Sequence, residues 1–251
     1  MVVTVQNALF FLIVWEVMSL SSFFLVIFEG EKKEVIKAGV KYLVYMHFSV
    51  LFILAAFVML NLHSGSMNFA DFAAYAHQGD KFASLIFMLA FIGFGIKAGF
   101  VPFHNWLPDA HPAAPSHVSA VMSGVMIKTG LYGILRVLFM LGTPTKSVAY
   151  TVFVIALVTA LYGILYALAQ RDLKKLLAYS SIENIGIIGL GIGLGMIGLA
   201  YENPLVAMLG FAGGILHILN HSIFKELMFF GAGSVYNKTH TRDMEVLGGL
   251  I

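Results

Sequence analysis

Apolar residues run along this chain in blocks long enough to cross a bilayer, separated by short polar punctuation. A hydrocarbon core of about 30 Å needs roughly 20 apolar residues in a helix. Seven stretches reach that length: residues 7–28, 42–62, 83–107, 116–142, 147–169, 176–200 and 205–235. The pattern predicts an all-α membrane protein of about seven transmembrane helices in a single domain, residues 1–251. Between the first two spans lies a charged hinge, Glu29 to Lys41, carrying three acids and four lysines. The polar 63–82 connection holds Asp71, His77 and Asp80 and is long enough for a small surface helix.

Composition agrees with the pattern. The 251 residues are 59% hydrophobic and 11% charged, against roughly 45–50% and 25% for a soluble domain, and mean hydropathy is +0.89. The lipid bilayer is therefore the first expected partner. With no cysteine there is no disulfide, thiolate zinc site or cysteine-ligated iron–sulfur cluster, so no cofactor is expected on this chain. Redox chemistry, if present, belongs to a partner. A formal charge of +2, scattered along the chain, gives no nucleic-acid footprint. The amino terminus enters an apolar helix without a basic segment or a small-residue cleavage site, as an internal piece of a longer polytopic protein would.

Alternate connections fall on opposite sides of the membrane, so basic residues orient the bundle. One side carries Lys32, Lys33, Lys37, Lys41, Arg171, Lys174, Lys175, Lys238 and Arg242, and the other Lys81, Arg136 and Lys146. The richer side is expected to be cytoplasmic in a multi-pass cell-membrane protein, with residue 1 outside and residue 251 inside. The three remaining basic residues, Lys97, Lys128 and Lys225, lie within spans.

Four prolines, Pro102, Pro108, Pro112 and Pro115, crowd the end of the third span. Each lacks a backbone donor and disfavours helix before it, so this helix should break shortly after Lys97. Interrupted backbone at bilayer depth is tolerated against protein or a wet cavity and often marks an ion site. An intramembrane lysine costs a few kcal/mol or more, and persists when paired or hydrated. Snorkelling is the competing explanation, but Lys97 lies about ten residues from the nearer end of its span, too deep for that. Lys128 is similarly deep in the next.

Glu16 is the one charge in the first span, placed either to form a switchable ion pair with Lys97 or to make a structural polar contact. His217, His221 and Lys225 recur every four residues, within about 80° of one helix face and along about 12 Å. A proton wire, haem or metal ligation, and a polar seam between helices all fit that spacing. The wire is favoured, because no third metal ligand lies in sequence reach and His47 is the one candidate facing histidine for haem. Glu183 is either a cytoplasmic proton inlet or an interfacial carboxylate. Glu226 points about 100° from the ladder and suits a structural partner. Gly193, Gly195 and Gly198 match dinucleotide-loop spacing, but no strand precedes them, so close helix packing is the better reading. The absence of a Walker loop speaks against ATP-driven transport.

The run Lys97-Ala-Gly-Phe-Val-Pro-Phe-His-Asn-Trp-Leu-Pro-Asp-Ala-His-Pro-Ala-Ala-Pro-Ser-His-Val-Ser-Ala, continuing to Lys128-Thr-Gly-Leu-Tyr-Gly, resembles the signature of antiporter-like proton-pumping subunits. These occur in respiratory complex I, Mrp cation/proton antiporters and energy-converting hydrogenases. Asp172-Leu-Lys-Lys-Leu-Leu-Ala-Tyr-Ser-Ser and the stretch from His217 through Gly231-Ala-Gly-Ser-Val agree with it. The block from Pro115 to Gly130 and Ile182-Glu-Asn-Ile-Gly look most like the membrane subunit of formate hydrogenlyase and hydrogenase-4 type complexes.

The resemblance implies a fold of inverted five-helix repeats, each with a broken helix. Residues 1–146 would be the latter part of the first repeat and 147–251 the start of a truncated second, making the chain a fragment. It implies that Glu16 pairs with Lys97, that Lys128 links half-channels, and that His217, His221 and Lys225 line a hydrated axis. Ser123 stands where some members have histidine, and complex I subunits lack a carboxylate at the position of Glu183, which favours the hydrogenase branch. The expected function is a proton-translocating subunit of a redox-driven complex, with other membrane and soluble subunits as partners. The alternatives are an Mrp-type sodium/proton antiporter subunit and a non-conducting scaffold for a hydrogenase module.

Overall fold

The computed structural model describes residues 1–76 and 82–248. Ten α-helical segments and one π-helical turn follow one another among these residues: α1 (Ala8–Val26), α2 (Lys33–Ser64), α3 (Phe69–Ala76), α4 (Ala83–Ala98), α5 (Leu107–Ala113), α6 (Ser116–Val121), the π turn Met122–Met126, α7 (Ile127–Leu141), α8 (Lys146–Leu168), α9 (Leu173–Ala200) and α10 (Pro204–Thr239). Six continuous helical stretches, with α6 to α7 counted as one, are long and apolar enough to cross a membrane. α4 is a shorter apolar helix that stands where the third span was expected. Large apolar side chains such as Phe10, Phe24, Leu161, Leu165, Leu216 and Ile223 face outward, the arrangement a lipid environment stabilises.

The third span breaks where proline chemistry placed the break. α4 ends at Gly99, whose φ of +93° turns the chain in a conformation that costs glycine little. Sixteen residues of α4 rise about 24 Å, short of a full crossing. The carbonyl of Ile96, orphaned by the break, accepts a 2.9 Å hydrogen bond from the Trp106 indole. Backbone satisfaction thus ties the two halves together.

Two boundaries differ from expectation. The charged hinge is largely helical, because α2 begins at Lys33. Lysine and glutamate favour helix, and the added turns extend past the apolar layer. The fourth span carries the π turn, which no residue pattern announced. The expected surface helix is present as α3; His77, Asp80 and Lys81 lie outside the described residues.

Small residues set the helix spacing. On α9, Gly193 lies against Phe153 of α8, while Gly195 and Gly198 meet Phe211 and Ala207 of α10. That triplet is a helix interface rather than a dinucleotide loop. The two ends of the bundle are pinned by polar contacts. At one end Arg136 donates to Gln6 and Tyr132, and Asn7 bonds Asn68. At the other, Arg242 pairs with Asp172 and donates to the Pro112 carbonyl, and Lys41 pairs with Asp109.

Candidate functional site

Lys97 sits in the last turn of α4 with no exposed surface. Its ammonium donates to Ser19 Oγ at 3.2 Å and to Tyr42 Oη at 3.1 Å, and lies 5.7 Å from the Trp15 ring centroid. Trp15 and Ser19 are four residues apart on α1, so both face the lysine. Glu16 is next to Trp15 and half-buried. Its charge acts on Lys97 and Tyr42 through space, but no ion pair joins Glu16 to Lys97 among the described residues. The structure gives the lysine hydroxyl partners and keeps the carboxylate nearby.

Lys128 is buried at the start of α7 and donates to the Ser123 carbonyl. The π turn interrupts the regular ladder there, which leaves carbonyls available to side chains. Ser123 Oγ lies 2.8 Å from Ser181 Oγ of α9. Glu226 of α10 packs on the same turn: a Cβ at Gly124 would stand 2.6 Å from its carboxyl carbon. Glycine at 124 is what lets that carboxylate approach, and its charge acts on Lys128.

The ladder on α10 leans against α9. His217 Nε2 is 2.9 Å from Asn184 Oδ1, Lys225 donates to the Leu177 carbonyl at 3.2 Å, and the His217 and His221 rings stack 6.3 Å apart. His221 is fully buried, with neither ring nitrogen hydrogen-bonded to protein among the described residues. Glu183 is half-buried, accepts from Ser180, and its charge acts on His217 and Lys225.

Two clusters result. Lys97, Ser19, Tyr42 and Glu16 form one, centred on the broken helix. Lys128, Glu226, His217, His221, Lys225 and Glu183 form the other, around the interface of the π turn, α9 and α10. Met126 stands between them, its sulfur 2.9 Å from Ser22 Oγ and 3.7 Å from Tyr42 Oη. The clusters meet at this joint, without a continuous protein hydrogen-bond chain among the described residues.

Sequence reasoning missed several members. Ser19 and Tyr42 become visible only once the faces of α1 and α2 that meet α4 are known. Glu226 stands on the side of its helix that the π turn covers. His111, on α5, is fully buried with neither ring nitrogen hydrogen-bonded to protein among the described residues, and stacks at 4.8 Å on Phe229, one turn beyond Lys225. His104 is likewise orphaned, edge-on to Tyr162. Buried polar groups normally find a protein or water partner, and these two rings have no protein partner among the described residues. Their presence within the proline-rich run was the available signal.

Residues 6–251 match the family described as NADH:quinone oxidoreductase/Mrp antiporter, TM. Hydrogenase-4 component B of Escherichia coli (strain K12) is 47% identical over 248 residues, covering 98% of this chain and 37% of that protein. Formate hydrogenlyase subunit 3 of the same organism is 46% identical over 165 residues, 66% of this chain and 27% of that protein. Among solved structures, the Mrp complex from Dietzia sp. DQ12-45-1b superposes with a TM-score of 0.86 at 27% identity, covering 99% of this chain and 26% of that one. The chain thus spans little more than a third of the length of the first of these relatives.

Proposed function

This chain belongs to the NADH:quinone oxidoreductase/Mrp antiporter transmembrane family, and from that premise we propose that it is the proton-translocating part of a redox-driven membrane complex of the hydrogenase-4 type. The observation that carries the reading is three lysines buried in the bundle interior, Lys97, Lys128 and Lys225, each with sparse hydrogen bonding and an acid close enough for its charge to act. A soluble fold would not retain such groups, and a purely structural membrane bundle would replace them with apolar residues.

In the proposed sequence, a charge disturbance from a neighbouring membrane subunit moves Glu16 toward or away from Lys97. Lys97 then changes its hold on its proton, and the change passes by Met126 to Lys128 and on to His221 and Lys225. Glu183 serves as the proton inlet from the cytoplasmic side. Residues 1–146 are assigned to the first inverted repeat and 147–251 to the second, with residue 1 outside and residue 251 cytoplasmic. Electrons stay on partner subunits, because the chain has no cysteine to ligate a cluster. The similarity to an Mrp complex supports a second reading, sodium/proton antiport. Sodium favours several oxygen ligands at once, whereas Glu16, Glu183 and Glu226 each stand near a lysine or histidine, which favours protons.

The test is a Lys97→Met substitution in the intact parent complex, reconstituted in liposomes. Redox turnover is expected to persist while acidification per turnover falls at least tenfold. Full acidification per turnover would refute the assignment, and turnover that requires sodium would replace it with the antiporter.

A further inference from the structure

The end of the bundle that carries Arg242 opens into a cleft of about 900 Å³ between α2, α5, the start of α9 and the end of α10. That is within the range of roughly 300–1,000 Å³ typical of small-ligand sites. Six basic side chains, Lys32, Lys37, Lys41, Lys174, Lys175 and Arg242, line it against three acids, Glu29, Glu34 and Asp109. Internal pairing accounts for part of this charge: Lys41 meets Asp109 at 2.7 Å, Lys32 meets Glu29 at 3.6 Å, and Arg242 meets Asp172 at 3.3 Å. Lys37, Lys174 and Lys175 have no ion pair among the described residues, although the charges of Glu29 and Asp172 act on Lys174 from a distance.

Lys174 makes this more than a solvated basic surface. The residue is 4% exposed, and its one hydrogen bond among the described residues is to the Ala114 carbonyl at 2.8 Å. An ammonium has three donors, so two remain without a protein partner among the described residues and available to the cleft that Lys174 lines. No carboxylate lies within ion-pair distance of it among the described residues. A buried cation in that state is destabilising unless an anion meets it. The cleft supplies room for one.

The apolar surroundings say which kind of anion. Val35, Ala38, Pro108, Pro112 and Tyr236 share the lining with the cations. Along α2, Ile36, Val40 and Val44 form an exposed apolar stripe. Cations above an outward apolar face match the two halves of a phospholipid, and basic pockets between helices on the cytoplasmic side suit acidic headgroups. We propose that this cleft binds the phosphate headgroup of an anionic phospholipid through Lys174, Lys175 and Lys37, with the acyl chains lying along Ile36, Val40 and Val44. Inorganic phosphate shares the headgroup chemistry without the chains, so the two sources can be separated. The proposal does not depend on proton translocation.

The test uses the full-length protein with its native membrane partners, placed in nanodiscs of phosphatidylcholine with or without phosphatidylglycerol. Native mass spectrometry is expected to show phosphatidylglycerol retained in preference to phosphatidylcholine. In the variant Lys37→Gln with Lys175→Gln, retention should weaken about thirtyfold, and both side chains are exposed, so the fold should survive. Lys33→Gln with Lys238→Gln removes the same charge at the same end, outside the cleft, and should leave retention unchanged. Equal loss in both pairs would reduce the effect to general surface attraction and overturn the site. So would equal retention of the two lipids by the unsubstituted protein. Stabilisation by inorganic phosphate without any preference for phosphatidylglycerol would overturn the lipid as the source.

Discussion

Gly130 of α7 packs the helix carrying Lys128 against the backbone of the helix carrying Lys97. A methyl group there would stand 2.5 Å from the Phe94 carbonyl oxygen, 2.8 Å from the Ala98 nitrogen and 3.0 Å from the Ala98 Cβ. Two of those atoms are backbone, which no rotamer change can move aside. Ordinary contact begins near 3.5 Å, so Gly130→Ala forces α7 to retreat from α4 by about 1 Å. Alanine returns about 1 kcal/mol of helix propensity, while overpacking costs about 1–3 kcal/mol. The net effect on stability is a loss of about 0–2 kcal/mol, small enough for the protein to fold. The functional effect should be larger, because misplacing reacting groups by about 1 Å can cost about 100-fold in rate. Gly95→Ala is the matched control on α4, two residues from Lys97, where the new methyl meets only the Phe100 side chain at 3.6 Å. Liposome acidification per redox turnover, measured alongside thermal unfolding of the same preparations, separates the two effects. Gly130→Ala should lower acidification at least tenfold with a shift of a few degrees, and Gly95→Ala should change neither. Equal behaviour of the two variants would refute the idea that α4–α7 spacing governs transfer.

Two further substitutions probe the joints. Glu226→Gln keeps the side-chain volume that packs at Gly124 but removes the charge acting on Lys128; acidification per turnover should fall while thermal stability holds within about 0.5 kcal/mol. Trp106→Phe leaves the Ile96 carbonyl without its indole donor, so unfolding of the purified protein should be easier by about 1–3 kcal/mol, and hydrogen exchange around residues 95–100 faster.

What the sequence made legible follows from chemistry that acts locally. Proline lacks a donor, so a run of four predicts a break wherever the chain folds, and α4 ends one residue past Lys97. Glycines at helical spacing predict close approach, and Gly193, Gly195 and Gly198 each meet a neighbouring helix. The charged stretch after Glu29 was misread because charge ends an apolar layer, not a helix, and α2 simply starts outside it. The π turn has no residue signature. Partners such as Tyr42 for Lys97, or Glu226 near Lys128, depend on which helix faces meet, a property of the assembled bundle. Glu16 shows the same limit from the other side: its span and depth were readable, while its offset from Lys97 rests on the rotation of α1, which turns Trp15 and Ser19 inward instead.

The two backbone irregularities hold their lysines differently, and the difference bears on which one acts as a switch. At the π turn the backbone itself serves the ammonium, since Lys128 donates to the Ser123 carbonyl. A carbonyl only accepts, so it offers nothing to the lone pair of a neutral amine. At the break in α4 the orphaned carbonyl of Ile96 is taken by Trp106, and Lys97 is left with the hydroxyls of Ser19 and Tyr42. A hydroxyl can accept from an ammonium or rotate and donate to an amine. A neutral amine keeps two N–H donors and gains one lone pair; at Lys97 the Tyr42 hydroxyl, otherwise turned toward the Met126 sulfur 3.7 Å away, can rotate to meet that lone pair, whereas the Ser123 carbonyl at Lys128 cannot. Ser123 is joined through its own hydroxyl to Ser181 on α9, next to Ile182 and Glu183. A change of charge at Lys128 is thus felt first at the interface the histidine ladder leans on. On the proposed pathway, Lys97 thus takes the tolerant, two-state position and Lys128 the position that passes the proton onward.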